Sequence, residues 1–121
     1  MSVARTFLDL TDRRLDRIAT QLPVEFGSDG KEFKRDYSVN LSPGGVFVAT
    51  QAVMPVDTTL SLRFQFPDNG RRLACRGRVA WLNHAAADKK PHLPTGMGIQ
   101  FASLAEEQLN IVRGYLAGSM T

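Results

Sequence analysis

Between Leu60 and Trp81 apolar and polar residues alternate almost one for one, broken only around the tetrapeptide Pro67-Asp-Asn-Gly70. Leu60, Leu62, Phe64 and Phe66 alternate with Ser61, Arg63 and Gln65. After the break, Leu73, Cys75, Gly77, Val79 and Trp81 alternate with Ala74, Arg76, Arg78 and Ala80. In an extended strand successive side chains point to opposite faces, so each run has one dry face and one wet face. The intervening residues favour a turn: proline presets φ, Asp and Asn bond their own backbone, and glycine tolerates positive φ. The pattern predicts a long hairpin joining residues 59–66 to 72–82, with Trp81 on the core side.

Shorter pieces of the same kind lie on both sides. Leu22-Pro-Val-Glu-Phe26 reads as a strand, followed by a turn at Gly27-Ser-Asp-Gly30 and a polar strand through Phe33, Tyr37 and Val39. Val46-Phe-Val-Ala-Thr50 is entered through Ser42-Pro-Gly-Gly45, and Gly98-Ile-Gln-Phe101 supplies a last strand. Asn83 to Pro94, with two prolines and a run of Asp88, Lys89 and Lys90, reads as a mobile loop. The period then changes. Ser103 and Glu106 have capping-box spacing, and Leu104, Ile111, Val112, Tyr115 and Leu116 form one helical face ending before Gly118. Six short strands and one terminal helix predict a mainly β fold, a small antiparallel barrel, and OB-fold and SH3-like barrels both answer that description.

The chain of 121 residues has the length of one domain and can bury a core without metals or disulfides. No apolar run approaches the ~20 residues that span a bilayer, so the chain is expected not to cross a membrane. Met1 to Leu10 contains no apolar block of signal-peptide length, and Cys75 is the one cysteine. A cytoplasmic location is the expectation. Residues 1–20 lack a period of two and read as an arm before a barrel-and-helix unit at 21–118.

Catalytic chemistry finds little support. His84 and His92 have no second ligand at metal spacing, so no metal site is expected. Ser42 stands in no nucleophile-elbow setting, and Cys75 falls on the apolar side of a strand, where an inert buried thiol is the expectation. Gly96-Met-Gly98 lacks both the third glycine and the following helix of a dinucleotide loop. These glycines read as a tight approach to a barrel strand. The expectation is a protein that is not an enzyme and carries no cofactor.

The charge points elsewhere. Of fifteen basic residues eleven are arginines, whose planar donor forks match phosphates and guanine edges better than the point charge of lysine. Arg13-Arg-Leu-Asp-Arg17 spaces two arginines four apart on the arm, and Asn40-Leu-Ser-Pro-Gly-Gly45 occupies the junction between the second and third expected strands. Together these resemble the PilZ family, whose signature is R-x-x-x-R followed by D/N-x-S-x-x-G. The resemblance runs from about Asp12 to Leu116 and includes Gly77-Arg-Val-Ala-Trp81 and Gly96-Met-Gly-Ile-Gln-Phe101.

The resemblance implies a six-stranded split barrel and a cytoplasmic receptor for cyclic di-GMP, clamped by Arg13, Arg14, Arg17, Asn40, Ser42 and Gly45. The chemistry of those residues agrees. Arginine pairs with guanine O6 and N7, with phosphate, or with a purine face, and an asparagine amide both donates and accepts. Gly45 carries no Cβ to obstruct a ligand. An arm ordered by the nucleotide would change the surface shown to a separate effector protein. A second expectation is a PilZ-like adaptor that binds protein and no nucleotide, because Asn40 stands where an acid is commoner and Asp16 falls among the arginines. Binding of DNA or RNA is not expected, since most of the ten aromatics alternate toward the core rather than offering stacking surfaces. The sequence does not define an oligomeric state.

Overall fold

The computed structural model describes residues 18–28, 32–67, 70–84 and 90–119. Among them the order of elements is β1 (Ile18–Ala19), β2 (Pro23–Gly27), β3 (Lys34–Ser42), β4 (Gly45–Ala49), β5 (Thr59–Gln65), β6 (Arg72–Asn83), β7 (Gly96–Ala102) and α1 (Glu106–Ser119). Every strand pairing is antiparallel. The sheet runs β1-β3-β2-β5-β6-β7-β4, and β4 also pairs with β3. Strands β2 to β7 therefore close into the expected six-stranded barrel, and β1 is an extra strand.

The long hairpin forms as the alternation requires, in register from Thr59↔Arg78 to Gln65↔Arg72. Its turn is closed by Phe66 N–H donating to the Arg71 carbonyl at 2.8 Å, with Gly70 at φ 71°. The dry faces of both strands meet inside the barrel, where Leu60, Leu62, Phe64, Leu73 and Val79 join Val24, Phe26, Leu41, Val46, Val48, Met97 and Ile99. Removing each such side chain from water contributes about 1.5–3 kcal/mol. Helix α1 closes one end, burying Val112 and Leu116 and setting the Tyr115 ring 4.9 Å from Phe66.

Two bulges shape the walls. The register shifts between Ser38 and Asn40 on β3 and between Val79 and Trp81 on β6, leaving Val39 and Ala80 as extra residues. An inserted residue breaks the period of two, so everything beyond it changes phase. Trp81, expected to face the core with Val79, consequently stands on the outer surface, 36% exposed.

Three further details depart from expectation. The helix starts later than the Ser103–Glu106 spacing suggested: Ala105 is the N-cap, its carbonyl accepts from Leu109 N–H, and Gln108 Oε1 accepts from Ala105 N–H at 3.0 Å. Helix α1 also continues past Gly118 to Ser119. Asn83, assigned to the loop, is the fully buried last residue of β6. Its amide donates to the carbonyls of Lys90, Leu93 and Pro94 and accepts from Lys90 N–H, which ties down the described part of the loop.

Candidate functional site

Residues directly opposite one another in an antiparallel pair project to the same side of the sheet. Following the register across the barrel wall gives the row Leu41, Val46, Ile99, Val79, all core residues. The rows on either side therefore face outward. One is Ala19, Asn40, Phe47, Gly98, Trp81 and the other is Ser42, Gly45, Gln100, Arg78. Rows two residues apart on a strand lie about 7 Å apart, so together they form one patch on β1, β3, β4, β7 and β6.

Aromatic rings cover the glycines of this patch. A Cβ on Gly98 would meet Trp81 Nε1 at 2.0 Å, and one on Gly96 would meet Phe47 Cζ at 2.9 Å. Gly98 thus admits the indole close to the strand, whereas Gly96 is required first by the neighbouring strand, since its Cβ would meet the Val48 carbonyl oxygen at 2.2 Å. Phe47 and Trp81 rest on each other with centroids 5.2 Å apart, and the Lys90 ammonium lies 5.0 Å from the indole centroid. A groove of about 430 Å³ crosses the patch, lined by Ser42, Gly45, Phe47, Trp81, Gly98 and Gln100 among others.

Of the residues singled out in the sequence, the structure brings Asn40, Ser42 and Gly45 to this patch. Asn40 is half-buried opposite both Ala19 and Phe47. Ser42 is buried and shapes its own turn: its hydroxyl accepts from Gly44 N–H at 3.2 Å and donates to the Gly45 carbonyl at 3.4 Å. Gly45 is required by its neighbour strand, because a Cβ there would meet the Ile99 carbonyl oxygen at 2.2 Å. Arg13, Arg14 and Arg17 lie outside the described residues.

The chain that follows Arg17 is firmly held. Ile18 pairs with Leu41 and Ala19 with Asn40, and Thr20 N–H donates to the Val39 carbonyl at 3.0 Å. Between β1 and β2 the buried Ser38 hydroxyl takes over from the ladder, accepting from Leu22 N–H at 2.9 Å and donating to the Thr20 carbonyl. Tyr115 of the helix shares a 2.6 Å hydrogen bond with the Thr20 hydroxyl. The arginine-bearing segment therefore joins the barrel beside Asn40.

A family model, PilZ domain, matches residues 11–118. The chain belongs to the PilZ domain family. No curated protein matches it. Among solved structures, the PilZ barrel is similar to that of the Bacillus subtilis inhibitor of motility, MotI/DgrA, with a TM-score of 0.71 at 19% identity over 86% of this chain. The chain spans about half of that relative, 49% of its length. It is also similar to the PilZ domain of CeSA from a cellulose-synthesizing bacterium, with a TM-score of 0.62 at 20% identity, over 87% of this chain and 98% of that one. At these identities the likeness is one of fold.

Trp81, Lys90 and Gln100 are patch residues that sequence reasoning missed. Two glycines spaced by two on one strand were the available signal, since both face the same way and leave room for something bulky. Elsewhere on the PilZ barrel, burial pushes the Cys75 thiol up to about 11, away from nucleophile chemistry. Among the described residues no group of three or more His, Cys, Asp or Glu is placed to hold a metal ion, and no helix is long and apolar enough to cross a membrane.

Proposed function

We propose that this PilZ domain binds cyclic di-GMP on the patch beside the Asn40–Gly45 turn and passes the signal to a separate protein in the cytoplasm. The observation that carries the reading is the pairing of Ile18 and Ala19 with Leu41 and Asn40, which joins the segment ending at Arg17 to that turn. The chain immediately after Arg17 thereby runs beside Asn40, 23 residues further along in number (17 to 40). Arg13, Arg14 and Arg17 supply the phosphate and guanine contacts, and Asn40 adds an amide to a guanine edge. Ser42 and Gly45 shape the turn that the nucleotide approaches. Trp81 offers the exposed part of its indole to a base, and Lys90, over the same ring, adds a positive charge.

Binding to arginines on the arm orders that segment against the barrel and alters the surface a partner meets. The two structural neighbours, an inhibitor of motility and a domain from a cellulose-synthesizing bacterium, are consistent with one barrel serving different outputs. A second reading, a protein-binding adaptor without nucleotide, is favoured by a different surface. There Tyr37 is 53% exposed, near a groove of about 480 Å³ whose lining includes Arg35, Arg63 and Arg72.

Calorimetric titration with cyclic di-GMP separates the two. The wild type is expected to bind, with Arg17→Ala and Asn40→Ala each weaker by roughly tenfold or more, since a good bidentate contact is worth about 1–3 kcal/mol. Absence of binding heat and of any thermal shift in the wild type would leave the adaptor reading.

A further inference from the structure

Asp57 adopts φ 77°, a left-handed conformation that favours glycine or asparagine. Its turn is docked on β6: Asp57 N–H donates to the Val79 carbonyl at 2.7 Å, and Val79 N–H donates to the Thr58 carbonyl at 2.9 Å. The Asp57 carboxylate pairs with Arg78 Nη1. Both side chains are well exposed, 73% and 47%, and such a pair contributes little to stability. The left-handed residue serves the turn itself, which Thr58 N–H closes on the Pro55 carbonyl at 3.1 Å, but that turn needs no charge at this position, so the ion pair calls for a separate account.

What the pair does is aim a third residue. Arg78 Nη2 donates to Gln100 Oε1 at 2.9 Å. Guanidinium groups only donate, so the amide oxygen of Gln100 must face Arg78, leaving the two hydrogens on Nε2 for other partners. Gln100 stands between Arg78 and Gly45 in the outward row and lines the groove with Trp81. The groove is thus offered a donor whose orientation is set from behind.

A donor at this point distinguishes the purines. Guanine presents acceptors at both O6 and N7, whereas adenine replaces the first with an N6–H₂ donor. We infer that Gln100 is a specificity-determining residue that donates to guanine O6, with Arg78 and Asp57 as the positioning residues that fix its amide. This inference rests on the cyclic di-GMP reading and adds the selection of guanine to it.

The test is titration of wild type, Gln100→Glu and Asp57→Gly with cyclic di-GMP and cyclic di-AMP, together with melting temperatures of the unliganded proteins. Wild type is expected to prefer the guanine ligand. Gln100→Glu still pairs with Arg78 but turns an acceptor toward O6, so it should lose on the order of tenfold in affinity for cyclic di-GMP and narrow the preference. Asp57→Gly should narrow the preference as well, with a melting temperature equal to or above wild type because glycine relieves the left-handed strain. A wild type that binds no cyclic di-GMP overturns the functional reading and this inference with it. A wild type that binds with preference, alongside variants that keep that preference, overturns the inference alone. A fall in both affinity and melting temperature for Asp57→Gly assigns that residue a structural role and removes it from the positioning chain.

Discussion

Single atoms decide where the indole of Trp81 lies. Gly98 has no Cβ, and the ring occupies the space one would need, with Nε1 2.0 Å from the ideal Cβ position. Gly98→Ala must therefore lift the indole off the β7 strand. Trp81 is the one tryptophan in the chain, so intrinsic fluorescence reads this directly. The emission maximum of Gly98→Ala is expected to shift to longer wavelength as the ring enters water, and an unchanged spectrum would refute the packing described. Cys75 makes a second residue-scale case. Burial raises its pKa from 9.0 to about 11, so the folded state keeps the thiol proton to higher pH than the unfolded state does. Stability from this group is complete below pH 9 and is lost as pH rises from 9 toward 11. The urea midpoint of wild type should fall more steeply over that window than that of Cys75→Ala, and parallel curves would rule the effect out.

At the scale of elements, β1 and β2 lie along the same edge of β3, separated by Thr20-Gln21-Leu22, and Ser38 bridges the interruption. Ser38→Ala leaves the buried Leu22 N–H without its acceptor, a loss of about 1–3 kcal/mol. Urea denaturation should register that loss, whereas a variant as stable as wild type would show the bridge to be dispensable. Much of the barrel was legible in advance because alternation is cooperative: the run from Leu60 to Trp81 repeats one signal many times. Val39 and Ala80 were not, since a single inserted residue leaves no pattern of its own yet changes the face of everything beyond it. That is why Trp81 was expected inside. The helix cap was misplaced for a similar reason: Ser103 and Ala105 both precede the helix within reach of a glutamate or glutamine, and only backbone geometry separates them. Asn40, Ser42 and Gly45 were found from their motif, but Gln100 and Arg78 become neighbours of that motif only through strand register.

For the whole molecule, closure of β2 to β7 pairs the barrel strands around a ring and gives a rigid wall on which two separate surfaces stand. One is the patch of Asn40, Trp81 and Gln100. The other is formed by β2, β3, β5 and β6, where Arg63 pairs with Glu25 at 3.1 Å and lies 3.9 Å from the Phe33 ring centroid. On the proposed reading, a nucleotide on the first would leave the second open to a partner. Binding on the first wall is the expectation, and amide chemical shifts report residue by residue which wall the nucleotide takes. On titrating cyclic di-GMP into isotope-labelled protein, the largest shifts are expected at Ala19, Asn40, Gly45, Gly98 and Gln100 and at the Trp81 indole N–H, with Glu25, Arg63 and Arg72 nearly still. Shifts concentrated on that second wall, or none at saturating nucleotide, would contradict it.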